Sequence, residues 1–488
     1  MKSIKHPKGL KTLFFTEMWE RMSYYGMRGI LVLFMTASIQ DGGLDFDNAS
    51  ASAIYGIYAA LVYLATLPGG WIGDNILGQQ RTILYGGIII MFGHLSLAIP
   101  NINAFYVGLI LVVLGTGLLK PNISAIVGNL YENNHELKQS GFTIFYMAIN
   151  LGSVLGFFIC GYLGENVGWH YGFGAAGIGM AFGLLQYIFN IKLLEGTGAK
   201  PFNKLSSRTK NRYKKIILGI LALIVIVSLA GLSGVWKINP IPLANILTVI
   251  ITVISLSYFF YIFVFGNLNK SEKKKVVMIF VLFIGAALFW SGFDQAGSSF
   301  NIFAKEYTNR IIFGWEYPAS WLQILNPLFV VILSPFMAYL WIYLGKKMLD
   351  PSLPFKFGLG LIFMAIGFLV IAAGAQIALS DGLAGVQWLL ITYLLHTIGE
   401  LTLSPIGLAA ISSLSPKRFL GQMMGVWFLA SSLGAIIAGL ISGQATSDGL
   451  VSMPELFNQI AISASLFGLV LVILSRPLNR WVFKKIEE

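Results

Sequence analysis

Cysteine and charge are both scarce in this chain. Cys160 is the only cysteine, so no intramolecular disulfide and no cysteine metal cluster can form. It sits in an apolar run and reads as a small packed thiol. Charged residues make up 11% of the sequence, against about 25% in soluble domains, which excludes an ordinary water-soluble fold. Metal-ligand spacings, a nucleophile elbow and a phosphate-binding glycine loop are missing too. Their absence argues against an enzyme and against a cofactor. A cleavable signal peptide is not expected, because the first apolar segment is too long and its flank has no small-residue cleavage site.

What the chain has instead is apolar length. It is 56% hydrophobic, with a mean hydropathy of +0.75. Fourteen segments are long enough to cross a bilayer. They lie near 13–39, 52–76, 82–99, 104–130, 142–163, 169–193, 214–234, 241–266, 276–300, 319–345, 356–378, 386–413, 419–443 and 457–483. With the N-terminus in the cytoplasm, nearly all lysines and arginines fall on that side, many of them in the loop 192–215 and the run Lys270–Lys275; Lys237, Lys305 and Arg310 fall outside. This bias fixes the expected orientation, with both termini cytoplasmic. It also accounts for the net charge of +12 without nucleic acid as a partner. The chain reads as a six-segment bundle over 1–194, a linker with two accessory spans over 195–275, and a second six-segment bundle over 276–488. The accessory spans carry no charge in their apolar cores and are expected to face lipid.

Against this apolar background a few charges are out of place. Glu17, Glu20, Arg21, Tyr24 and Arg28 recur at i, i+3, i+4, i+7 and i+11, one face of the first helix. A charge at mid-bilayer costs about 3 kcal/mol, so this face must look into a bundle interior or a water-filled cavity. Lys120 lies midway along its segment beside Pro121, too far from either end to snorkel easily. Asp294 and Glu400 complete the interior set, the first paired at i, i+4 with Trp290. Asn150 and Asn326 are polar groups at similar depth, and Trp427 and Ser431 form another i, i+4 pair. Tyr63 is the deepest tyrosine of its segment. His94 reads as a packed, hydrogen-bonded histidine. The plainer alternative is that the first-helix cluster only fixes helix packing.

Glu17-x-x-Glu20-Arg21-Met22-x-Tyr24-Tyr25 resembles the first-helix signature of the proton-dependent oligopeptide transporter (POT or PTR) family, with Met22 where the family has Phe. Phe145-Tyr146-x-x-Ile149-Asn150-x-Gly152, Lys120-Pro121, Trp290, Asn326-Pro327, Gly399-Glu400-Leu401 and Trp427-Phe428 also match. Gly69-Gly70-Trp71-Ile72-Gly73-Asp74 and the residues up to Arg81 resemble the helix 2–3 loop of the major facilitator superfamily. Three departures stand out: Met22, Asp294 where many relatives carry Glu, and Ala435 where Asn is frequent.

The resemblance implies an all-α polytopic protein with the major facilitator fold, two six-helix bundles plus two central helices. It implies proton-coupled import of di- and tripeptides by alternating access in a bacterial plasma membrane, by a protein functional as a monomer, with protons as coupling ion. Arg21 and Lys120 would take the peptide carboxylate and Glu400 the ammonium. Asn150 and Asn326 would read backbone amides, and Tyr24, Tyr25, Tyr63, Trp290, Trp427 and Ser431 would line the pocket. Glu17, Glu20, Arg21, Lys120 and Asp294 would couple protons. Gate salt bridges would pair Arg28 with Asp294 and Lys120 with Glu400. The competing function is proton symport of another small anion or metabolite, such as nitrate or an amino acid. Nitrate would leave Glu400 without a use.

Overall fold

The computed structural model describes residues 6–132, 135–203, 205–232, 239–447 and 449–483; Lys237, counted above on the outer side, lies outside them. Sixteen α-helices run through the described residues. They are α1 (Gly9–Thr36), α2 (Asn48–Ile72), α3 (Gln79–Leu97), α4 (Ile102–Leu130), α5 (His135–Tyr162), α6 (Trp169–Asn190), α7 (Ser207–Leu232), α8 (Pro240–Phe265), α9 (Lys270–Phe293), α10 (Ser299–Glu306), α11 (Leu325–Lys346), α12 (Leu353–Asp381), α13 (Gln387–Leu414), α14 (Leu420–Ser447), α15 (Met453–Ile473) and α16 (Ser475–Phe483). Among the described residues, twelve spans have the length and hydropathy to cross a membrane. α1 and α3 are also long enough, at 28 and 19 residues. Their polarity sets them apart: α1 carries the charged face, and α3 opens on Gln79, Gln80 and Arg81.

Two expected segments end differently. The span at 276–300 breaks at Asp294, the C-cap of α9, into a tight turn before α10. Gln295 ties the break to its surroundings, its amide donating to Ser291 O of α9 at 3.4 Å and to Ala438 O of α14 at 3.1 Å, and its carbonyl oxygen accepting from Ser299 Oγ at 2.5 Å. The span at 457–483 stops at Ile473, and α16 restarts at Ser475 with Pro477 in its first turn, where a missing N–H costs nothing. Between α10 and α11 lies a short antiparallel hairpin, Ile311–Ile312 (β1) with Trp315–Glu316 (β2). Buried Arg310 supports it by binding Glu316 and the Tyr317 carbonyl.

The chain forms two compact units, Met1–Ile30 with Ala37–Leu44 and Leu61–Pro240, and Leu31–Thr36 with Asp45–Ala60 and Ile241–Glu488. In the first, a core including Leu13, Ile90, Leu119, Ile123, Met180 and Tyr187 is fully buried. Small residues let its helices touch, as membrane helices require where burial from water no longer drives association. A Cβ at Gly86 or Gly115 would meet the other's carbonyl oxygen at 2.7 Å, locking α3 to α4. In the second unit, Gly360 and Gly399 do the same for α12 and α13. Among the described residues the apolar stretch of α7 has none buried, whereas α8 buries Ala244, Ile251, Ser255, Phe259 and Ile262.

Candidate functional site

In the first unit the site is built on α1. Arg21 Nε lies 3.2 Å from Glu17 Oε1 and hydrogen-bonds Glu20 Oε2. All three side chains are buried. Only part of their bonding capacity is used: Glu17 Oε2, Glu20 Oε1 and Arg21 Nη2 have no hydrogen-bond partner among the described residues. Leaving buried charged groups half-satisfied is costly, so the cluster is a poor device for packing alone. The guanidinium also sits 5.2 Å from the ring centroid of Tyr24, and Tyr24 meets Tyr25 edge-on. Arg28 follows on the same helix, half-buried.

Glycines set the position of this face. A Cβ at Gly152 of α5 would collide with Met18 O and come within 2.8 Å of Arg21 Cβ, while Gly156 abuts Met22 and Gly26. The glycine of the Asn150-x-Gly152 motif therefore lets α5 press on the turn that carries Arg21. Met22 is explained as well: it is buried, and its sulfur packs on Gly179 of α6. A flexible thioether fits that gap, and the side chain contributes to helix packing there.

Lys120 reaches this unit from α4. Its ammonium lies 4.8 Å from the Tyr63 ring centroid and has no carboxylate within ion-pair distance among the described residues. Asn122, two residues on, donates to Gly69 O at 3.0 Å and Leu118 O at 2.7 Å. It fastens α4 to α2 next to Pro121, which has no N–H of its own. Asn150 is buried and gives one N–H of its amide to Tyr146 O at 3.0 Å; its second N–H and its carbonyl oxygen are the groups to offer a ligand. His94 is fully buried as expected, but neither ring nitrogen has a hydrogen-bond partner among the described residues; it is packed, not bonded.

In the second unit, Asn326 of α11 bridges two groups of α13, donating to Glu400 Oε2 and to Thr397 Oγ1, both at 3.0 Å. The Thr397 hydroxyl in turn donates a hydrogen bond to Tyr393 O at 2.7 Å. Thr397 was not among the expected site residues, although its i, i+3 spacing to Glu400 is the signal that finds it. His396, beside it, is likewise buried and bonds the Met364 carbonyl at 3.2 Å. Trp290 meets Phe289 and Phe293 edge-on, and its indole N–H has no partner among the described residues. Gly434 of α14 packs on the Trp290 Cβ. Trp427 lies over Gly407 with its edge to Phe357; Ser431 is buried one turn on. Asp294 is buried at the α9 break. Ala435 faces a tight crossing, where a Cβ on Gly56 would come within 3.1 Å of its carbonyl, so a small residue suits the position. No group of three His, Cys, Asp or Glu fit to hold a metal occurs among the described residues.

The POT family model matches residues 80–474. The chain is 42% identical over 486 residues to a peptide transporter of Yersinia enterocolitica, covering 97% of this chain and 95% of that one. It is 36% identical over 484 residues to a di-/tripeptide transporter of Lactococcus lactis subsp. cremoris, covering 97% and 96%. A crystal structure of a POT peptide transporter in complex with sulfate superposes with a TM-score of 0.91 at 37% identity, covering 99% and 97%.

Proposed function

Because the chain belongs to the POT family, we infer that it is a proton-coupled importer of di- and tripeptides working by alternating access. It is a multi-pass membrane protein of the major facilitator fold, with two six-helix bundles and two additional helices, and it is a transporter rather than an enzyme. The observation that carries the peptide reading is the complementary chemistry of the two units. One holds buried Arg21 with spare donor capacity and Lys120 on Tyr63. The other holds Glu400, oriented by Asn326. A peptide is a zwitterion, and it needs both a cation for its carboxylate and an anion for its ammonium. Nitrate needs only the first.

In this reading Arg21 and Lys120 take the carboxylate, Glu400 the ammonium, and Asn150 and Asn326 the amides. Tyr24, Tyr25, Tyr63, Trp290, Trp427 and Ser431 form the walls. Residues 1–194 and 276–488 act as the two rocking halves, with 195–275 as accessory. Arg28 with Asp294, and Lys120 with Glu400, close opposite gates in turn. Protons are the coupling ion, the membrane is the bacterial plasma membrane with both termini inside, and the monomer suffices. Uptake of labelled dialanine into proteoliposomes tests the core of this. Acid outside should accelerate it, and excess nitrate should not compete. Uptake driven by a sodium or potassium gradient without a proton gradient would overturn proton coupling.

A further inference from the structure

The first turns of α7 carry a charge cluster that peptide transport does not use. Arg208, Lys210, Arg212, Lys214 and Lys215 fall within eight residues, and no acidic residue occurs between Glu195 and Glu272. None of the five makes an ion pair among the described residues. The charges are not spread evenly around the helix. At 100° per residue, Arg208, Arg212 and Lys215 share one face, and Lys210 and Lys214 point the other way. The first three are exposed, and with Asn211 and Ile216 they line an open groove of about 520 Å³.

The same face continues in a second chemistry. Gly219 lies directly below the cationic triad, and a Cβ there would meet nothing within 4 Å. Ile220, Leu223 and Ile226 border this furrow and are 53–63% exposed. The cationic turn is held at a fixed place on the protein. Tyr213 packs edge-on against Trp71 at the end of α2, with ring centroids 4.7 Å apart. The chain leading in is tied by Asn203, whose N–H donates to Asp74 O and whose amide donates to Asn75 Oδ1, both at 3.0 Å.

We propose that this face of α7 is a binding site for an acidic phospholipid of the adjoining leaflet, its phosphodiester held by Arg208, Arg212 and Lys215 and an acyl chain lying along the Gly219 furrow. Two guanidiniums match phosphate oxygens by paired N–H bonds. A basic cluster at the end of a transmembrane helix attracts anionic headgroups by roughly fivefold per charge. The topological role of positive charge requires only their number; a lipid site requires their face. The proposal does not rest on what the protein transports.

The test separates the two. Native mass spectrometry of the full chain, released from mixed micelles of phosphatidylglycerol and phosphatidylcholine, should show phosphatidylglycerol retained at least tenfold over phosphatidylcholine. Arg208→Gln/Arg212→Gln/Lys215→Gln should abolish the preference. Lys200→Gln/Lys210→Gln/Lys214→Gln, which removes the same charge from elsewhere, should keep it. Inorganic phosphate at equal concentration should not displace the lipid. Absence of a preference in the wild type, equal loss in both triple variants, or displacement by phosphate alone would each overturn the site. Because α7 has no buried apolar stretch, both variants should keep the wild-type melting temperature, so lost retention reports the site rather than misfolding.

Discussion

The amide nitrogen of Asn326 lies 3.0 Å from Oε2 of Glu400 and the same distance from Oγ1 of Thr397, so the carboxylate is oriented by the protein itself. If Glu400 receives the peptide ammonium, Glu400→Gln should cost on the order of 3–5 kcal/mol, the loss when one member of a buried charge pair is removed. N-acetylation of the peptide should then harm the wild type far more than the variant. Asn326→Ala should cost less, about 1.5–3 kcal/mol for one hydrogen bond to a charged group. Peptide KM series in proteoliposomes measure both. Equal sensitivity to N-acetylation in wild type and Glu400→Gln places the ammonium elsewhere.

Lys120 rests on the Tyr63 ring at 4.8 Å. A cation–π contact of this kind contributes about 0.5–2 kcal/mol and needs the ring, not the hydroxyl. Tyr63→Phe should therefore transport at close to the wild-type rate, and Tyr63→Leu should raise KM by about twofold to thirtyfold. If Phe is as damaging as Leu, the phenolic oxygen is the working group.

The spans and the charged face of α1 were legible because both are local patterns. About twenty apolar residues make a span, and a 3.6-residue period puts Glu17, Glu20 and Arg21 side by side whatever surrounds them. The break at Asp294 was not legible. Gln295 at the break bonds Ala438, far away in the sequence, and such a partner leaves no local mark. The hairpin at Ile311–Glu316 was hidden for another reason: Ile-Ile-Phe-Gly-Trp reads as an apolar run, while its turn needs positive φ at Phe313 (51°) and Gly314 (78°), a conformation that phenylalanine seldom adopts. His94 misled in the opposite direction, since a buried imidazole is normally bonded.

Gly152 tests how the α1 cluster is positioned. A methyl there would strike Met18 O and crowd Arg21 Cβ, and overpacking of this kind costs about 1–3 kcal/mol. Gly152→Ala should lower the melting temperature and reduce peptide affinity together, whereas Gly219→Ala, with open space around it, should do neither. Unchanged peptide affinity in a destabilised Gly152→Ala protein would separate helix packing from Arg21 placement.

The gate reading makes a claim about coupling energies. Arg28→Ala and Asp294→Ala should each slow uptake, and the double variant should be little worse than the singles. Residues that share one interaction depart from additivity by about 0.5–3 kcal/mol. Additive losses in initial uptake rates would refute direct pairing in the transport cycle.

The α1 cluster carries the coupling hypothesis. Glu17 and Glu20 both bind one guanidinium, that of Arg21, so two carboxylates share a single cation. While both carboxylates are ionised they hold Arg21, and a peptide carboxylate must compete for it. Protonation of one frees Arg21 for the peptide. Proton and peptide then favour the same state, and each raises the other's affinity, as linkage demands of a symporter. The alternative is a cluster that only packs α1 against α5. The two differ in what neutralisation does. Glu20→Gln should abolish proton-driven accumulation while leaving counterflow exchange of peptide at least partly intact, because exchange moves no net proton. A packing role predicts parallel loss of both, with a lower melting temperature. Counterflow and proton-driven uptake measured on one proteoliposome preparation decide it: if Glu20→Gln still concentrates peptide against its gradient at the wild-type rate, the coupling role of this residue is wrong.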